Sequence, residues 1–294
     1  MVFGCRGQLG VELMSEFAAR GFEVKGYDRA DGDITDAARV ESLVAEMDPA
    51  VVVNAAAYNM VDVAEKEPEA AFVLNALAVR NLAIAARQVD ARFVHYSTDY
   101  VFDGTLGRPY VETDQPHPLG AYAVSKYAGE LYAQAYLDSP LIIRTSGVFG
   151  PGGTQTARGN FVELMLRLAA GSNPIKVVED HVASPAYAPA LAARTLDLIQ
   201  RNETGLFHIG GGLAISWYEY AKKIFEAAGL RPELKPTNER EYRTSARRPK
   251  FSALENKRMR DVGLEPMPPL EAAIRDYLVR TGRTHSEAPA GTAK

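Results

Sequence analysis

The chain has 294 residues, of which 47% are hydrophobic and 24% are charged, and its formal net charge is −4. This composition predicts one large or two small globular units with a substantial core, and no long run of one charge indicates a nucleic-acid or membrane surface. The lone Cys5 excludes an intramolecular disulfide. Neither a signal peptide nor an uncharged apolar run of about 20 residues is visible, so we expect a soluble, cytoplasmic protein.

The first predicted element is a short strand, Met1 to Phe3, which leads into a glycine-rich loop. Gly4, Gly7 and Gly10 form a G-x-x-G-x-x-G pattern, and an amphipathic helix follows. Glycines between a strand and a helix let the backbone approach a pyrophosphate, and the helix N-terminus offers N–H groups to it. The loop therefore predicts a dinucleotide site. The strand is short, which leaves open whether native N-terminal residues are missing.

The second predicted strand, Glu23 to Tyr27, ends at an acidic residue. Asp28 lies about 20 residues beyond the glycine loop, where a carboxylate can accept hydrogen bonds from ribose hydroxyls. After a helix that runs through Met47, residues 51–54 read as a strand buried on both faces. The small residues 55–57 either leave room for a cofactor or make a packing contact.

A long helix from Pro68 to Val89 precedes a strand from Arg92 to Ser97. Strands that alternate with helices predict an α/β fold, a Rossmann-type doubly wound parallel sheet with right-handed crossovers. Ligands bind at the carboxyl ends of such strands, and Thr98 and Asp99 fall at one of these ends. The Thr98 hydroxyl can bind a substrate carbonyl, or it can make a local bond to the backbone.

Tyr122 and Lys126 are four residues apart, so on a helix both side chains leave the same face. A neighbouring cation lowers the pKa of a phenol from its ordinary value of about 10. Such a pair can deliver a proton to a carbonyl oxygen while a hydride arrives at the carbon. The alternative is a solvated lysine beside a half-buried tyrosine.

The chain is predicted to divide into an NAD(P)-binding Rossmann domain over residues 1–150, completed by parts of the second half, and a mainly substrate-binding region over residues 151–280. This smaller region is interleaved with the first. Residues 281–294 read as a disordered tail. Arg247 and Arg248 can bind a diphosphate or form surface ion pairs. His181 and His208 have no matching ligand set, so we predict no metal site.

Several longer motifs, which extend from Met1 to about Tyr277, resemble the extended short-chain dehydrogenase/reductase superfamily and, within it, the dTDP-4-dehydrorhamnose reductase family. The motifs are G-x-x-G-Q-L-G at 4–10, N-A-A-A-Y at 54–58 with V-D-x-A-E after it, H-Y-S-T-D-Y-V-F-D-G at 95–104, Tyr122 with Lys126, R-T-S at 144–146, G-N-F-V at 159–162, S-W-Y-E at 216–219 and A-R-R-P at 246–249.

The resemblance implies a role for each matching position. Besides Gly4 and Gly10 of the loop, the dinucleotide would be held by Gly7, Gln8, Leu9, Asp28, Asp33, Ile34, Ala57, Tyr58, Asn59, Tyr96, Tyr122 and Lys126. Tyr122 would donate the proton, Lys126 would bind the nicotinamide ribose and tune Tyr122, and Thr98 would orient the carbonyl. The sugar would contact Thr98, Asp99, Gly147 and Asn160.

The implied reaction is reduction of the C4 carbonyl of a nucleotide-linked 4-keto-6-deoxysugar by NADPH or NADH, in dTDP-rhamnose biosynthesis for cell-wall polysaccharide. The expected substrate is dTDP-4-dehydro-L-rhamnose, and the expected assembly is a monomer or homodimer. Two alternatives stay open: a non-catalytic subunit similar to the beta subunit of methionine adenosyltransferase, and a sugar-nucleotide epimerase.

Two positions depart from the family pattern in the predicted substrate half. The tryptophan that usually follows R-T-S is replaced by Gly147, and the usual D-Q-x-G-x-P-T appears as D-H-V-A-S-P-A at residues 180–186. Either another aromatic, Tyr187 or Trp217, fills the space at Gly147, or the pocket accepts a bulkier or different sugar. The sequence alone leaves open the sugar, the base, the cofactor preference and any divalent cation.

Overall fold

The computed structural model describes residues 1–156 and 159–283. Within these ranges the strands are, in chain order, β1 (Val2–Phe3), β2 (Gly26–Tyr27), β3 (Val51–Asn54), β4 (Arg92–Thr98), β5 (Leu141–Thr145), β6 (Ile175–Val178), β7 (Val182–Ala183), β8 (Gly205–Ile209), β9 (Ile215–Ser216) and β10 (Leu234–Thr237).

The helices of the described residues are α1 (Gln8–Ala19), α2 (Ala37–Met47), α3 (Val61–Ala64), α4 (Pro68–Phe72), α5 (Ala78–Gln88), α6 (Ala121–Tyr136), α7 (Phe161–Ala169), α8 (Ala188–Gln200), α9 (Trp217–Ala228), α10 (Lys257–Asp261) and α11 (Leu270–Arg280). A π-helical turn, Val73–Leu77, joins α4 to α5, and 3₁₀ turns occupy Asp99–Val101 and Pro151–Gln155.

The central sheet has six parallel strands in the order β2-β1-β3-β4-β5-β8. Helices separate consecutive strands along the chain, so each crossover returns over a face of the sheet. The predicted α/β fold with a doubly wound parallel sheet is therefore confirmed. The sixth strand, β8, comes from the second half of the chain and pairs with β5.

Two apolar layers cover the two faces of this sheet. One layer packs α1 and α8 through side chains such as Leu13, Phe17 and Leu191. The other packs α2 and α5 through residues such as Leu43 and Leu82. Because both faces are covered, β3 carries consecutive valines instead of alternating apolar and polar residues, as the sequence predicts for residues 51–54.

A separate core lies under the smaller region and consists mainly of aromatic side chains. Phe149, Tyr220 and Tyr277 are fully buried there, and α7, α9 and α11 pack around them. Ring centroids of Phe149 and Tyr220 lie 5.8 Å apart. This core supports the half of the chain in which the substrate-binding region is predicted, although the domain boundaries themselves stay a prediction.

Local details differ from the sequence prediction in four places. The second strand is confined to β2, since Glu23 and Lys25 are exposed and pair poorly with a buried sheet. The long helix is interrupted by the π turn. The Pro, Gly and Thr residues between Gly150 and Gly159 predict a mobile loop, whereas residues 151–155 form a 3₁₀ turn. Of the predicted tail, residues 281–283 close the last helix and residues 284–294 lie outside the described residues.

The segment from Pro68 to Gln88 is long and apolar enough to cross a membrane by length and composition alone. Half of its most apolar window is buried within the protein. It packs against α6 and the sheet, with Ala76, Val79 and Leu82 fully enclosed. These contacts are those of a core helix.

Candidate active site

The carboxyl ends of four neighbouring strands bring the predicted site residues to one edge of the sheet. The glycine loop follows β1, residues 55–59 follow β3, Asp99 follows β4, and Ser146 and Gly147 follow β5. Since all four strands run in the same direction, segments that are distant in the sequence meet at this edge. The residues that follow these four strands therefore lie next to one another at this edge.

The glycine loop turns so tightly that side chains are excluded from it. Gly4 has a φ of +79°, and a Cβ on it would lie 2.6 Å from the backbone nitrogen of Ala56. A Cβ on Gly10 would lie 2.1 Å from the carbonyl oxygen of Gly4. Helix α1 begins at Gln8, directly after the N-cap Gly7. The loop thus presents bare backbone and a helix N-terminus, the arrangement that a dinucleotide pyrophosphate requires.

The side chains of Gln8 and Asn160 bond to each other across the two halves of the chain. Gln8 Nε2 donates to the Val148 carbonyl at 2.7 Å, and Asn160 Nδ2 donates to Gln8 Oε1 at 2.8 Å. Asn160 Oδ1 accepts the amide of Glu163 at 3.0 Å and so caps α7. The amide of Asn160 therefore links the glycine loop to α7, and its predicted sugar contact stays a prediction.

The two predicted acidic residues of the cofactor side both lie in turns. Asp28 accepts the amide of Ala30 at 2.8 Å and pairs with Arg6 at 2.8 Å. Asp33 accepts the amide of Thr35 at 2.9 Å, and this bond holds the pKa of the Asp33 carboxyl below its usual range. Ile34, between them and the sheet, is buried.

The segment after β3 is held by hydrogen bonds to Asn75, a residue that the sequence analysis does not predict as part of the site. Asn75, which lies in the π turn, accepts the Tyr58 amide at 2.8 Å and donates to the Tyr58 carbonyl at 2.9 Å. It also donates to Ser125 Oγ at 3.0 Å, and Ser125 Oγ donates to the Tyr122 carbonyl at 2.8 Å. Ala57 and Tyr58 are half-buried here and Asn59 is exposed.

Helix α6 carries both members of the predicted Tyr/Lys pair. Lys126 is buried, and its Nζ donates to the carbonyl of Tyr96 at 2.5 Å. Burial lowers the pKa of Lys126 to about 8, and the nearby Glu130 carboxylate only partly offsets this effect. Tyr122 is half-buried, and its ring stands nearly perpendicular to that of Tyr100, with centroids 6.1 Å apart.

Tyr96 faces away from this edge. Its ring belongs to the core between the sheet and α8, where its hydroxyl bonds Thr195 Oγ1 at 2.7 Å. The backbone carbonyl of Tyr96, which receives the Lys126 ammonium, is the part of this residue that touches the site. The Tyr96 side chain is thus turned into the core, and the predicted contact of Tyr96 with the dinucleotide stays a prediction.

Thr98 and Asp99 form a buried cluster of hydroxyls around one carboxylate. Thr98 Oγ1 donates to Asp99 Oδ1 at 3.1 Å, and Ser146 and Ser252 donate to Asp99 Oδ2 at 2.8 Å and 2.5 Å. Burial raises the pKa of Asp99 to about 6, although the hydroxyl hydrogen bonds stabilise the carboxylate and act in the opposite direction. The Thr98 hydroxyl also accepts the Tyr100 amide at 3.2 Å. Ser252 was absent from the sequence prediction.

An ion pair lies directly behind this cluster. Arg144 and Glu130 are 3% and 2% exposed, and two hydrogen bonds of 2.9 Å and 2.7 Å join them. Ser97 Oγ also donates to Glu130. Since the carboxylate is satisfied on both oxygens, the pair fixes the end of β4 to β5 and α6 without leaving its negative charge unpaired.

Gly147 adjoins an aromatic side chain supplied by another element. Its φ is +50°, and a Cβ on it would lie 3.3 Å from Trp217 Cη2 and 3.4 Å from Pro185 Cα. Trp217 begins α9, and its ring meets that of Phe161 at 4.7 Å between centroids. Tyr187 is instead buried with Phe149. Of the two alternatives for the missing tryptophan, the geometry favours Trp217 as the residue that fills the space.

We expect Gly147→Trp to raise KM for the sugar nucleotide, because the new indole has to displace Trp217 from a backbone position that disfavours side chains. Overpacking of this kind lowers the free energy of unfolding by about 1–3 kcal/mol. The measurement is steady-state kinetics with thermal unfolding. The double variant Gly147→Trp/Trp217→Gly removes the clash and should recover part of the loss. A single variant with unchanged KM and stability would show that Gly147 lies outside the site.

Of the two arginines considered for a diphosphate, Arg248 is already paired. Its guanidinium meets Asp62 through bonds of 3.1 Å and 2.6 Å. Arg247 is exposed. Among the described residues, no group of three or more His, Cys, Asp or Glu side chains is arranged to hold a metal ion.

The comparisons with known proteins agree with one another. A family model described as RmlD substrate binding domain matches residues 1–282. The spore coat polysaccharide biosynthesis protein SpsK of Bacillus subtilis is 35% identical over 278 residues, which cover 95% of this chain and 96% of that protein. The dTDP-4-dehydrorhamnose reductase of Escherichia coli is 36% identical over 293 residues, covering 95% of this chain and 96% of that protein.

A solved structure is similar over the same span. The crystal structure of dTDP-4-dehydrorhamnose reductase from Bacillus anthracis in complex with NADP has a TM-score of 0.90 to this chain at 35% identity, covering 95% of this chain and 98% of that one. The matched residues 1–282 include every position named above as a site residue.

Proposed function

This chain belongs to the RmlD substrate-binding-domain family, and from that premise we propose that it is an NAD(P)H-dependent dTDP-4-dehydrorhamnose reductase. The reaction is reduction of the C4 carbonyl of dTDP-4-dehydro-L-rhamnose to give dTDP-L-rhamnose. The observation that carries the proposal is the meeting of the bare glycine loop, Thr98 and the Tyr122/Lys126 helix at one sheet edge. The family match agrees with the resemblance that the motifs indicate.

The glycine loop fits a dinucleotide because a Cβ at Gly4 or Gly10 would collide with backbone, so the loop stays open to a phosphate. Gly7, Gln8 and Leu9 at the start of α1 would hold the pyrophosphate, and Asp28 would hold a ribose. When bound, the reduced cofactor supplies the hydride.

The remaining chemistry falls to side chains of this edge. Tyr122 gives its phenolic proton to the C4 oxygen as the alkoxide forms. Thr98 orients that oxygen through its hydroxyl, and Lys126 holds the nicotinamide ribose and supplies the positive charge beside the phenol. The buried position of Lys126 strengthens this charge effect, since fewer water molecules screen it.

The two alternatives are less well supported. A non-catalytic subunit has no need of a buried lysine, which costs stability, on the same helix face as a tyrosine. An epimerase can share the fold, but relatives of 35% to 38% identity that carry an enzyme name are reductases.

We infer that the enzyme acts in the cytoplasm on a soluble nucleotide sugar, without nucleic acid, membrane or metal, as a monomer or homodimer. Sedimentation of the purified protein with and without EDTA tests the assembly and any cation together.

The direct test is to incubate the protein with NADPH and dTDP-4-dehydro-L-rhamnose and to follow loss of absorbance of the reduced cofactor. We expect stoichiometric formation of dTDP-L-rhamnose. Cofactor binding without any turnover would favour the regulatory subunit. Conversion of the sugar without net cofactor loss would favour the epimerase.

We expect both NADH and NADPH to be used, with kcat/KM values that differ by less than about a thousandfold. Asp28 favours a free 2′-hydroxyl, but Arg6 pairs with it. Arg29, 93% exposed, makes only a long ion pair of 3.6 Å with Asp33 and could exchange this pair for a 2′-phosphate. Arg29→Ser should therefore lower kcat/KM for NADPH and leave that for NADH nearly unchanged. Equal losses with both cofactors would contradict the assigned role of Arg29.

A further inference from the structure

A stretch of chain that we call the crossing segment, residues 244–252, runs from the smaller region to the edge of the main sheet. On one side it pairs with β7, since the Val182 amide donates to the Lys250 carbonyl and the Ser252 amide donates to the Val182 carbonyl, each at 2.8 Å. On the other side the Ala246 amide donates to Asp62 at 3.0 Å. The segment therefore ties the predicted substrate half to α3.

Two side chains of the crossing segment approach the site: Ser252, which bonds Asp99, and Arg248. Asp62 accepts two bonds from its guanidinium, and Thr244 Oγ1 and the Ala246 carbonyl accept further bonds at 2.5 Å and 3.3 Å. The guanidinium also lies beside the hydroxyl of Tyr100, close enough for the two groups to interact electrostatically. Because protein groups already engage most of its five N–H donors, Arg248 is poorly placed to grip a substrate diphosphate.

Tyr100 connects this arginine to the proton donor. Its amide bonds Thr98 Oγ1 at 3.2 Å, and its ring stands at 86° to the ring of Tyr122 with centroids 6.1 Å apart. Perpendicular aromatic pairs at this spacing are attractive and have a defined geometry. Tyr100 thus touches both residues proposed to act on the C4 oxygen, and its hydroxyl end lies beside the Arg248 guanidinium.

We propose that Arg248 is a positioning residue for proton transfer: together with Asp62 it holds Tyr100, and Tyr100 sets where the Tyr122 phenol and the Thr98 hydroxyl stand. This inference rests on the proposed function, in which Tyr122 is the proton donor. It assigns Arg248 to the geometry of the reacting groups, and it assigns the A-R-R-P motif a role other than diphosphate binding.

The expected consequence is a loss of rate with little loss of affinity. A displacement of a reacting group by about 1 Å costs on the order of 10²-fold in rate. We therefore expect Arg248→Gln to lower kcat by about 10- to 100-fold while KM for the sugar nucleotide changes little. Rates should be divided by the number of sites that bind NADPH in a stoichiometric titration, so that misfolded protein does not count.

Tyr100→Phe provides a second and milder test. It keeps the ring against Tyr122 and removes only the hydroxyl that lies beside Arg248. We expect a smaller loss of kcat with unchanged KM. This variant decides the question if Arg248→Gln does not fold.

The chain offers a matched control for the loss of a partly buried arginine–aspartate ion pair. Arg20, directly after α1, is 25% exposed and pairs with Asp197 of α8 at 2.6 Å. Arg248 is 24% exposed and pairs with Asp62 at the same distance. The Arg20 pair lies away from the site. Arg20→Gln should cost comparable stability and leave kcat per NADPH-binding site unchanged.

A double-mutant cycle with Asp62→Asn separates positioning from direct binding. If Arg248 acts through this pair, Asp62→Asn lowers kcat, and the double variant is hardly worse than Arg248→Gln alone. A raised KM with normal kcat in Arg248→Gln, and normal kinetics in Asp62→Asn, would overturn the inference in favour of a diphosphate contact. Absence of turnover in the wild type, or full turnover in Tyr122→Phe, would instead remove the proposed function.

Discussion

Replacing Tyr122 with phenylalanine is expected to lower kcat by about 10²–10⁴-fold, the usual contribution of a positioned general acid. The phenylalanine keeps the ring that stands against Tyr100 and removes the hydroxyl alone, so packing is nearly conserved. NADPH should bind as it does to the wild type, because the glycine loop is untouched. The measurement is kcat at neutral pH with a parallel NADPH titration.

Tyr127 serves as the matched control, since it lies on the same helix and packs against a different apolar cluster. Tyr127→Phe should retain wild-type kcat. If Tyr122→Phe turned over at a near wild-type rate, the phenol would not be the acid, and the assignment of this edge as the active site would have to be abandoned.

Lys126→Met is expected to abolish most turnover without lowering stability at pH 7. The variant removes the charge beside the phenol and a contact proposed for the nicotinamide ribose, so both kcat and cofactor affinity should fall. A lysine that is 2% exposed costs free energy to keep charged, and methionine fills much of the same volume. Activity and stability should therefore change independently, as expected at a functional site.

The stability difference between the wild type and Lys126→Met is expected to depend on pH. Burial lowers the pKa of Lys126 from 10.5 to about 8. Below pH 8 both folded and unfolded chains hold the proton, whereas between about pH 8 and 10.5 the folded chain releases it first. Stability of the wild type relative to Lys126→Met should therefore rise across this window, by at most about 3 kcal/mol at 1.36 kcal/mol per pKa unit.

Denaturant unfolding at pH 7 and pH 10 measures this difference. Lys223→Met, which removes a lysine paired with Glu271 on the surface of α9, is the control and should show no comparable pH-dependent gap. A Lys126→Met variant that is several kcal/mol less stable at pH 7 would mean that the lysine is chiefly structural.

Local patterns in the sequence were sufficient to predict several of the residues that the structure brings together at one sheet edge. The glycine spacing, the strand-end Thr98 and the four-residue interval from Tyr122 to Lys126 each depend on neighbours within one turn or one strand, where backbone geometry dictates the side-chain direction. The order of strands and helices likewise determined the α/β fold, because parallel strands require crossovers of fixed hand.

The tertiary structure decided the contacts between residues far apart in the chain. Ser252 binds Asp99 across a separation of 153 residues, and Arg248 binds Asp62 across 186. Trp217 fills the space beside Gly147, and Tyr96 turns its ring into the core while its carbonyl meets Lys126. Which of many chemically equivalent serines, arginines or aromatics meets a given partner depends on how whole elements pack, and short-range spacing carries no information about that packing.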